Sequence, residues 1–211
     1  MKNIIKSNDL VFDVGANNGN KSQEFLDLGA SVIAVEPNPA CIKQLEVRFK
    51  DNKNITIIQK GVSYQNEMRE FSICDCHVLS TFSEVWKKGR FKDYSWPVNI
   101  EVNMTTLDDL IYQFGLPKYC KIDVEGFELE VLQGLSVIIP YISFEFVKEN
   151  LKALFNCMDR LYWLGYREFN IKIGEDETFM FSNWKSRDLV YANIKYSDNL
   201  DLWGDIYARE I

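Results

Sequence analysis

Val11-Phe-Asp-Val-Gly-Ala-Asn-Asn-Gly-Asn20 decides the fold. Val11, Phe12 and Val14 read as a short buried strand, and Asp13 interrupts it near its carboxyl end. Gly15 and Gly19 then bracket an Asn-rich loop, and a helix-compatible segment starts at Lys21. A strand, a glycine-bracketed turn and a helix N-terminus form a cradle for nucleotide-like ligands, because first-turn amides and the helix dipole favour negative charge.

Working outward, Phe25 and Leu28 keep helical spacing and Gly29 suits the helix stop. Ser31-Val-Ile-Ala-Val-Glu36 reads as a second buried strand. Pro39 suits the first turn of a helix running to about Lys50, and Asn54 to Gly61 reads as a third strand. Strand, helix, strand, helix, strand predicts a doubly wound α/β fold on a parallel sheet. Met68–Cys74 and Val98–Met104 alternate like a paired strand insertion, with a loop and short helix over Ser80–Lys92 between them. Thr105 or Thr106 can cap a helix over Leu107–Phe114. Lys118–Gly126 reads as the fourth core strand and its turn, Leu129–Leu135 as a helix, and Ile138–Val147 as the fifth strand. Leu151, Leu154, Met158 and Leu161 step as a helix that Gly165 ends. The remainder to about Ile194 predicts two more strands, before a tail that closes on Leu202-Trp-Gly-Asp-Ile-Tyr207.

The 211 residues predict one domain, whether a whole protein or part of a longer chain. With 46% hydrophobic and 26% charged residues the composition is globular. A net charge of −7 argues against a broad nucleic-acid surface, which needs many cations against the phosphate backbone. Five Cys, in neither zinc-finger nor disulfide-framework spacing, read as reduced thiols in a cytoplasmic protein. The N-terminus lacks a signal-peptide apolar stretch, and no apolar run reaches the roughly 18 residues needed for membrane insertion.

The glycine loop is G-x-x-x-G, not G-x-G-x-x-G. Its flanks narrow the ligand. Glu36 ends the next strand, where an acid about 20 residues on accepts hydrogen bonds from a ribose diol. Asp13 beside the glycines would repel a pyrophosphate but suits a ligand with an ammonium and a sulfonium. S-adenosyl-L-methionine carries both, with a carboxylate for the loop amides and the helix N-terminus, and Asn17 and Asn18 tolerate positive φ and can donate to it. A nicotinamide-dependent oxidoreductase and a non-catalytic cofactor-binding module are the rival readings.

Val11–Gly19, Val35-Glu-Pro-Asn-Pro39, Thr105-Thr-Leu-Asp108 and Lys121-Ile-Asp-Val-Glu-Gly-Phe-Glu128 together resemble the FkbM-type S-adenosylmethionine-dependent methyltransferases. Ser80–Ser83, Ser143–Glu145 and Trp203–Ala208 resemble a bacterial-type subgroup. The likeness covers nearly the whole chain. It implies a class I methyltransferase (Rossmann-like) α/β fold: a doubly wound, seven-stranded, mostly parallel sheet of order 3-2-1-4-5-7-6 with an antiparallel last strand. It also implies O-methylation of a small-molecule hydroxyl, often on a sugar or polyketide. By motif, Asp13, Gly15, Ala16, Asn17 and Gly19 would hold the methionine part, Glu36 the ribose, and Gly61 and Val62 the adenine. Asp123 would lie beside the methionine end. Gly61 stands where the family often has alanine.

An alcohol is a poor nucleophile at neutral pH, so a base is expected. Asp123, near the cofactor's cationic groups, would be a weak base and suits cofactor binding. Glu125 follows strand four, and Glu145 interrupts the apolar run of strand five where open α/β sheets bind ligands. His77 is the single histidine, the residue type most often used for base chemistry near neutrality. These three are the catalytic candidates. No metal is predicted, although a hard divalent ion on Asp123, Glu125 or Glu145 is chemically possible. Trp86, Phe91, Tyr94 and Trp96, beside Arg90 and Lys87, Lys88 and Lys92, predict either a carbohydrate platform or a solvated basic loop.

Overall fold

The computed structural model describes residues 3–88, 91–174, 176 and 178–210. Arg90, of the expected aromatic–basic loop, lies outside the described residues. The opening stretch folds as read: β1 (Leu10–Val14) runs into α1 (Asn20–Asp27) through the glycine loop. β2 (Ser31–Val35) follows, then α2 (Pro39–Arg48), with Pro39 in its first turn and the Asn38 side chain accepting from the Ala40 amide at 3.0 Å. β3 (Ile55–Ile58) stops short of Gly61, and Gly61–Val62 forms β4 in a different sheet. β5 (Met68–Ile73) and β6 (Val98–Thr105) are the expected strand pair, here antiparallel, and with β4 they make a three-stranded sheet of order β4-β6-β5. Thr106 is the cap of α3 (Leu107–Phe114), accepting from the Asp109 amide at 3.0 Å. Then come β7 (Tyr119–Ile122), α4 (Glu128–Gln133), β8 (Tyr141–Val147) and α5 (Leu151–Leu164).

The last third departs from the sequence expectation. The stretch to Ile194 holds one strand, β9 (Glu168–Ile173), and a helix, α6 (Arg187–Lys195). The final strand is the tail itself, β10 (Trp203–Arg209). Periodicity misled here because Val190 and Ile194, buried four positions apart, are one helix face that is easily taken for a strand run.

The main sheet has order β3-β2-β1-β7-β8-β10-β9, with β10 antiparallel to both neighbours and the other pairs parallel. This is the predicted class I methyltransferase topology. One face of the sheet carries Phe12, Ile122, Phe144 and Ile206 and joins one core with Leu132, Met158, Leu161 and Val190 of α4, α5 and α6. Fully burying one such side chain stabilises by about 1.5–3 kcal/mol. The other face is covered unevenly. Phe25, Ile42 and Leu45 of α1 and α2 pack on Val11, Val32 and Ala34. Toward β8, β10 and β9 the cover is a loop, with Phe179 set edge-on to Tyr207 at 5.0 Å and Trp184 at 6.2 Å from Tyr141. That change of cover leaves room for polar side chains on the sheet.

Candidate active site

The glycine loop is built so that β1 and β7 can approach. Gly15 has φ +84°, and a Cβ there would sit 1.7 Å from the Asp123 carbonyl oxygen, so only glycine fits. The Gly15 and Ala16 amides both donate to Val35 O, at 2.9 and 3.1 Å. Asn17 has φ +49° and donates its amide to Glu36 Oε2 at 2.8 Å, while the Asn38 amide donates to Glu36 Oε1 at 2.8 Å. The loop amides expected to hold a carboxylate are therefore committed inside the fold. The start of α1, the other expected rest for that carboxylate, stays open: its Gly19 cap offers no side-chain acceptor and its first turn has no acid.

A cleft of about 260 Å³ opens at the carboxyl ends of these strands. It is lined by Asp13, Gly15, Ala16, Asn17, Glu36, Gly61, Val62 and Asp123 of the predicted cofactor set, and by Glu125 and His77 of the catalytic set. Gly19 does not line it; a Cβ there would press on Phe49 and Leu45, so this glycine serves helix packing. His77 is exposed, on a 3₁₀ turn (His77–Leu79) at the wall that also holds Val78, Ser80 and Phe82. Glu36 is 5% exposed, and burial lifts its carboxyl to about 7 against the two amide hydrogen bonds. Each of its oxygens takes one N–H and keeps a lone pair for a ligand hydroxyl. Asp13 is buried, with Ser22 Oγ donating to it at 2.6 Å; burial raises its pKa while Lys121 and Ser22 oppose the rise.

A second cavity, of about 120 Å³, shares Lys21, Lys121 and Asp123 with the cleft and extends over β8, β10 and β9. Glu145 lines this cavity, not the cleft. Asp123, Glu125 and Glu145 place carboxylate oxygens within 4.8 Å of one another where the two spaces meet, a grouping that could hold a hard divalent ion. The Lys121 ammonium lies 2.5 Å from Asp123. Burial pulls the Lys121 pKa down, but Asp123, Asp205 and Asp13 outweigh it and hold it raised, so the amine stays charged. Glu125 and Glu145 are both pushed well above the ordinary carboxylate range, first by burial and then by Asp123 and the other carboxylates. Glu145 Oε2 is buried without a hydrogen-bond partner.

Glu125 sits at φ +55°, a conformation that costs a non-glycine residue about 1 kcal/mol or more and that clusters at functional sites. Two residues outside the predicted site hold it there. Thr81 Oγ1 donates to the Glu125 carbonyl at 2.7 Å, and Glu128 Oε1 accepts from the Val124 and Gly126 amides at 3.3 and 3.1 Å.

Several site residues escaped the sequence reading. Lys121 was seen only within its motif. Asp205 interrupts an apolar strand as Glu145 does, and the alternation Trp203, Asp205, Tyr207 was the available signal. In the aromatic loop Lys88 and Lys92 are exposed, while Trp86 packs on Gly126 with its ring tilted 4.8 Å from that of Phe91, and Trp96 Nε1 donates to Leu79 O at 3.0 Å. Residues 84–88 and 91–96 line neither space.

Residues 13–185 match the family model described as the methyltransferase FkbM domain. The chain belongs to the FkbM methyltransferase family. FkbM enzymes use S-adenosyl-L-methionine as methyl donor, and the committed glycine turn, the half-satisfied Glu36 carboxylate and the open start of α1 fit that ligand's ribose and carboxylate. A 77-residue segment, 35% of this chain, is 31% identical to an Arabidopsis thaliana protein named ribosomal RNA small subunit methyltransferase, and spans 22% of that protein's length. Among solved structures, precorrin-6y C5,15-methyltransferase from Geobacter metallireducens GS-15 aligns over 99% of this chain and 85% of its own at TM-score 0.53 and 14% identity. Precorrin 8w decarboxylase from Methanobacterium thermoautotrophicum aligns over 98% and 84% at TM-score 0.50 and 15% identity. These two likenesses establish the shared fold. Among the described residues of this FkbM enzyme, no helix is long and apolar enough to cross a membrane.

Proposed function

We propose that this FkbM methyltransferase methylates a hydroxyl oxygen of a small polyhydroxylated acceptor, a sugar or glycan unit, using Glu145 as general base. One observation carries the reading. A half-buried carboxylate with a buried, unpartnered oxygen stands where the cofactor cleft meets a second polar cavity. A base must reach the proton it removes, and one whose pKa is raised toward neutrality accepts it better.

When bound, the cofactor supplies an electrophilic methyl group. The protein's part is placement and proton removal. Glu36 and the start of α1 fix the ribose and carboxylate ends. Lys121 neutralises Asp123, so the shared wall is not a third free anion beside the pair. Glu145 takes the hydroxyl proton, and Glu125, held by Thr81 and Glu128, shares that proton with it, since two carboxylates this close do not both ionise easily. His77, at the exposed wall of the cleft, has a supporting role in this scheme. No metal is needed, because Lys121 already supplies the positive charge.

The carboxylate-rich junction would repel a phosphodiester, which supports a neutral or cationic acceptor. A second reading, methylation of RNA, has the 77-residue similarity in its favour. Transfer of a radiolabelled methyl group to a panel of sugars, glycans, polyketides and RNA, with and without EDTA, tests both. Labelled sugar ethers, made equally well with EDTA, are the expected product. Labelling of RNA alone would replace this reading with the second, and abolition by EDTA would assign an ion to Asp123, Glu125 and Glu145.

A further inference from the structure

The second cavity has a wall chemistry more specific than a generic polar pocket. Strand alternation puts Trp203, Asp205 and Tyr207 on one face of β10, and the register sets Asp205 opposite Glu145 on one side and Lys172 on the other. The register thus gathers the Glu145 and Asp205 carboxyls on one wall, with Asp123 the strongest like charge acting on Asp205, a local excess of acidic groups. The lysines relieve it in part. Lys121 is in contact with Asp123, and the Lys172 ammonium lies 5.7 Å over both the Phe179 and the Tyr207 ring. Among the described residues, five carboxyl side chains and three lysines line the cavity, so its interior field favours positive charge. Glu145 Oε2 has no hydrogen-bond partner among the described residues, and Trp203 lines the cavity while still 37% exposed.

We propose that this cavity is the acceptor subsite and that it selects a hydroxylated acceptor carrying a protonated amine, with Asp205 binding the ammonium and Glu145 facing the hydroxyl. The inference rests on the methyltransferase reading of the cleft beside it and adds the charge class of the acceptor. Asp205 is thereby a specificity residue. Trp203 supplies an apolar face for the ring or chain that bears the two groups.

Saturation-transfer NMR on the enzyme loaded with S-adenosylhomocysteine tests this with three probes that share one ring and differ in charge: methyl glucosaminide, methyl glucoside and methyl glucuronide. The amino sugar is expected to bind at least about ten-fold more tightly than the neutral one, with no signal from the anionic one. Asp205→Asn should bring the amino and neutral sugars within about two-fold of each other, and Asp205→Glu should restore the preference. Lys172→Gln, which leaves the carboxylates in place, should widen the preference and provides a second reading should Asp205→Asn fail to fold. No signal from the amino sugar, a preference for the glucuronide, or a preference unchanged in Asp205→Asn or narrowed in Lys172→Gln would overturn the proposal. A calorimetric titration of S-adenosylhomocysteine on the same samples separates the two levels. Absent cofactor binding would fail the methyltransferase reading itself, whereas normal cofactor binding without amine preference fails only the subsite.

Discussion

The cofactor half and the acceptor half of this site are built on opposite principles. In the cofactor half the main polar groups find partners within the fold. Asp13 takes the Ser22 hydroxyl, Glu36 takes two amides, and the Gly15 and Ala16 amides share Val35 O. In the acceptor half, Glu145 Oε2 is unpartnered, Glu125 is held in a left-handed conformation, and Asp205 stands opposite Glu145. The first half is preorganised and stable. The second stores unfavourable interactions that an acceptor and its proton relieve, which is where strain and perturbed pKa values belong if they serve chemistry.

The comparison breaks hardest at Gly15. Gly15→Ala drives a Cβ toward the Asp123 carbonyl at a positive φ. Overpacking and backbone strain together should cost about 3 kcal/mol, lowering the melting temperature by roughly 6–12 °C and abolishing cofactor binding. A variant of unchanged stability in a thermal scan would show that the two strands do not depend on this close approach.

In the acceptor half the prediction has two opposite signs. Glu145→Gln should lower kcat at least about 100-fold while leaving the cofactor KM nearly unchanged. The same variant should melt higher, by roughly 2–4 °C for about 1 kcal/mol, because it removes a like charge and an unpartnered oxygen. The raised pKa fixes the pH window. The folded state holds its proton above the ordinary Glu value, so this carboxyl's contribution to stability is present in acid and is lost as pH rises toward the folded value. The gain in Glu145→Gln should therefore be larger at about pH 8 than at about pH 5. A variant that melts lower at both would mean that Glu145 is an ordinary structural acid.

The same raised pKa predicts that kcat falls as pH drops through a midpoint clearly above the ordinary Glu value, and that this acid limb disappears in the residual activity of Glu145→Gln. A limb unaltered by that substitution would move the base to Glu125 or His77. The smallest effect is expected at His77, exposed at the wall of the cleft. His77→Ala should change kcat by less than about three-fold, read in the same steady-state assay. A loss as large as that of Glu145→Gln would promote His77 to the base.

The two halves also differ in how far the chain alone disclosed them. Asp13, Gly15, Asn17 and Glu36 lie in one strand–turn–helix–strand unit, where spacing along the chain is spacing in space. Their neighbourhood is legible in the sequence, although the amides it uses for itself are not. The acceptor half is assembled from β7, β8, β9 and β10, and only the antiparallel register brings Asp205 to Glu145 and Lys172. Misreading the run to Ile194 as strand hid that register, because the tail then had no partner. The aromatic residues of the middle drew attention because of their composition, yet Trp86 and Trp96 are occupied in packing. Glu128, expected just outside its helix, turned out to begin α4 and to fasten the Glu125 turn, a role set by long-range geometry rather than by propensity.

The central claim is that cofactor binding and base chemistry reside in separable halves. Titrating S-adenosylhomocysteine by calorimetry into the wild type, Glu36→Ala and Glu145→Gln tests it without knowledge of the acceptor. The wild type and Glu145→Gln should bind within about two-fold of each other, and Glu36→Ala at least about ten-fold more weakly. Equal weakening in the two variants, or none in Glu36→Ala, would contradict the division.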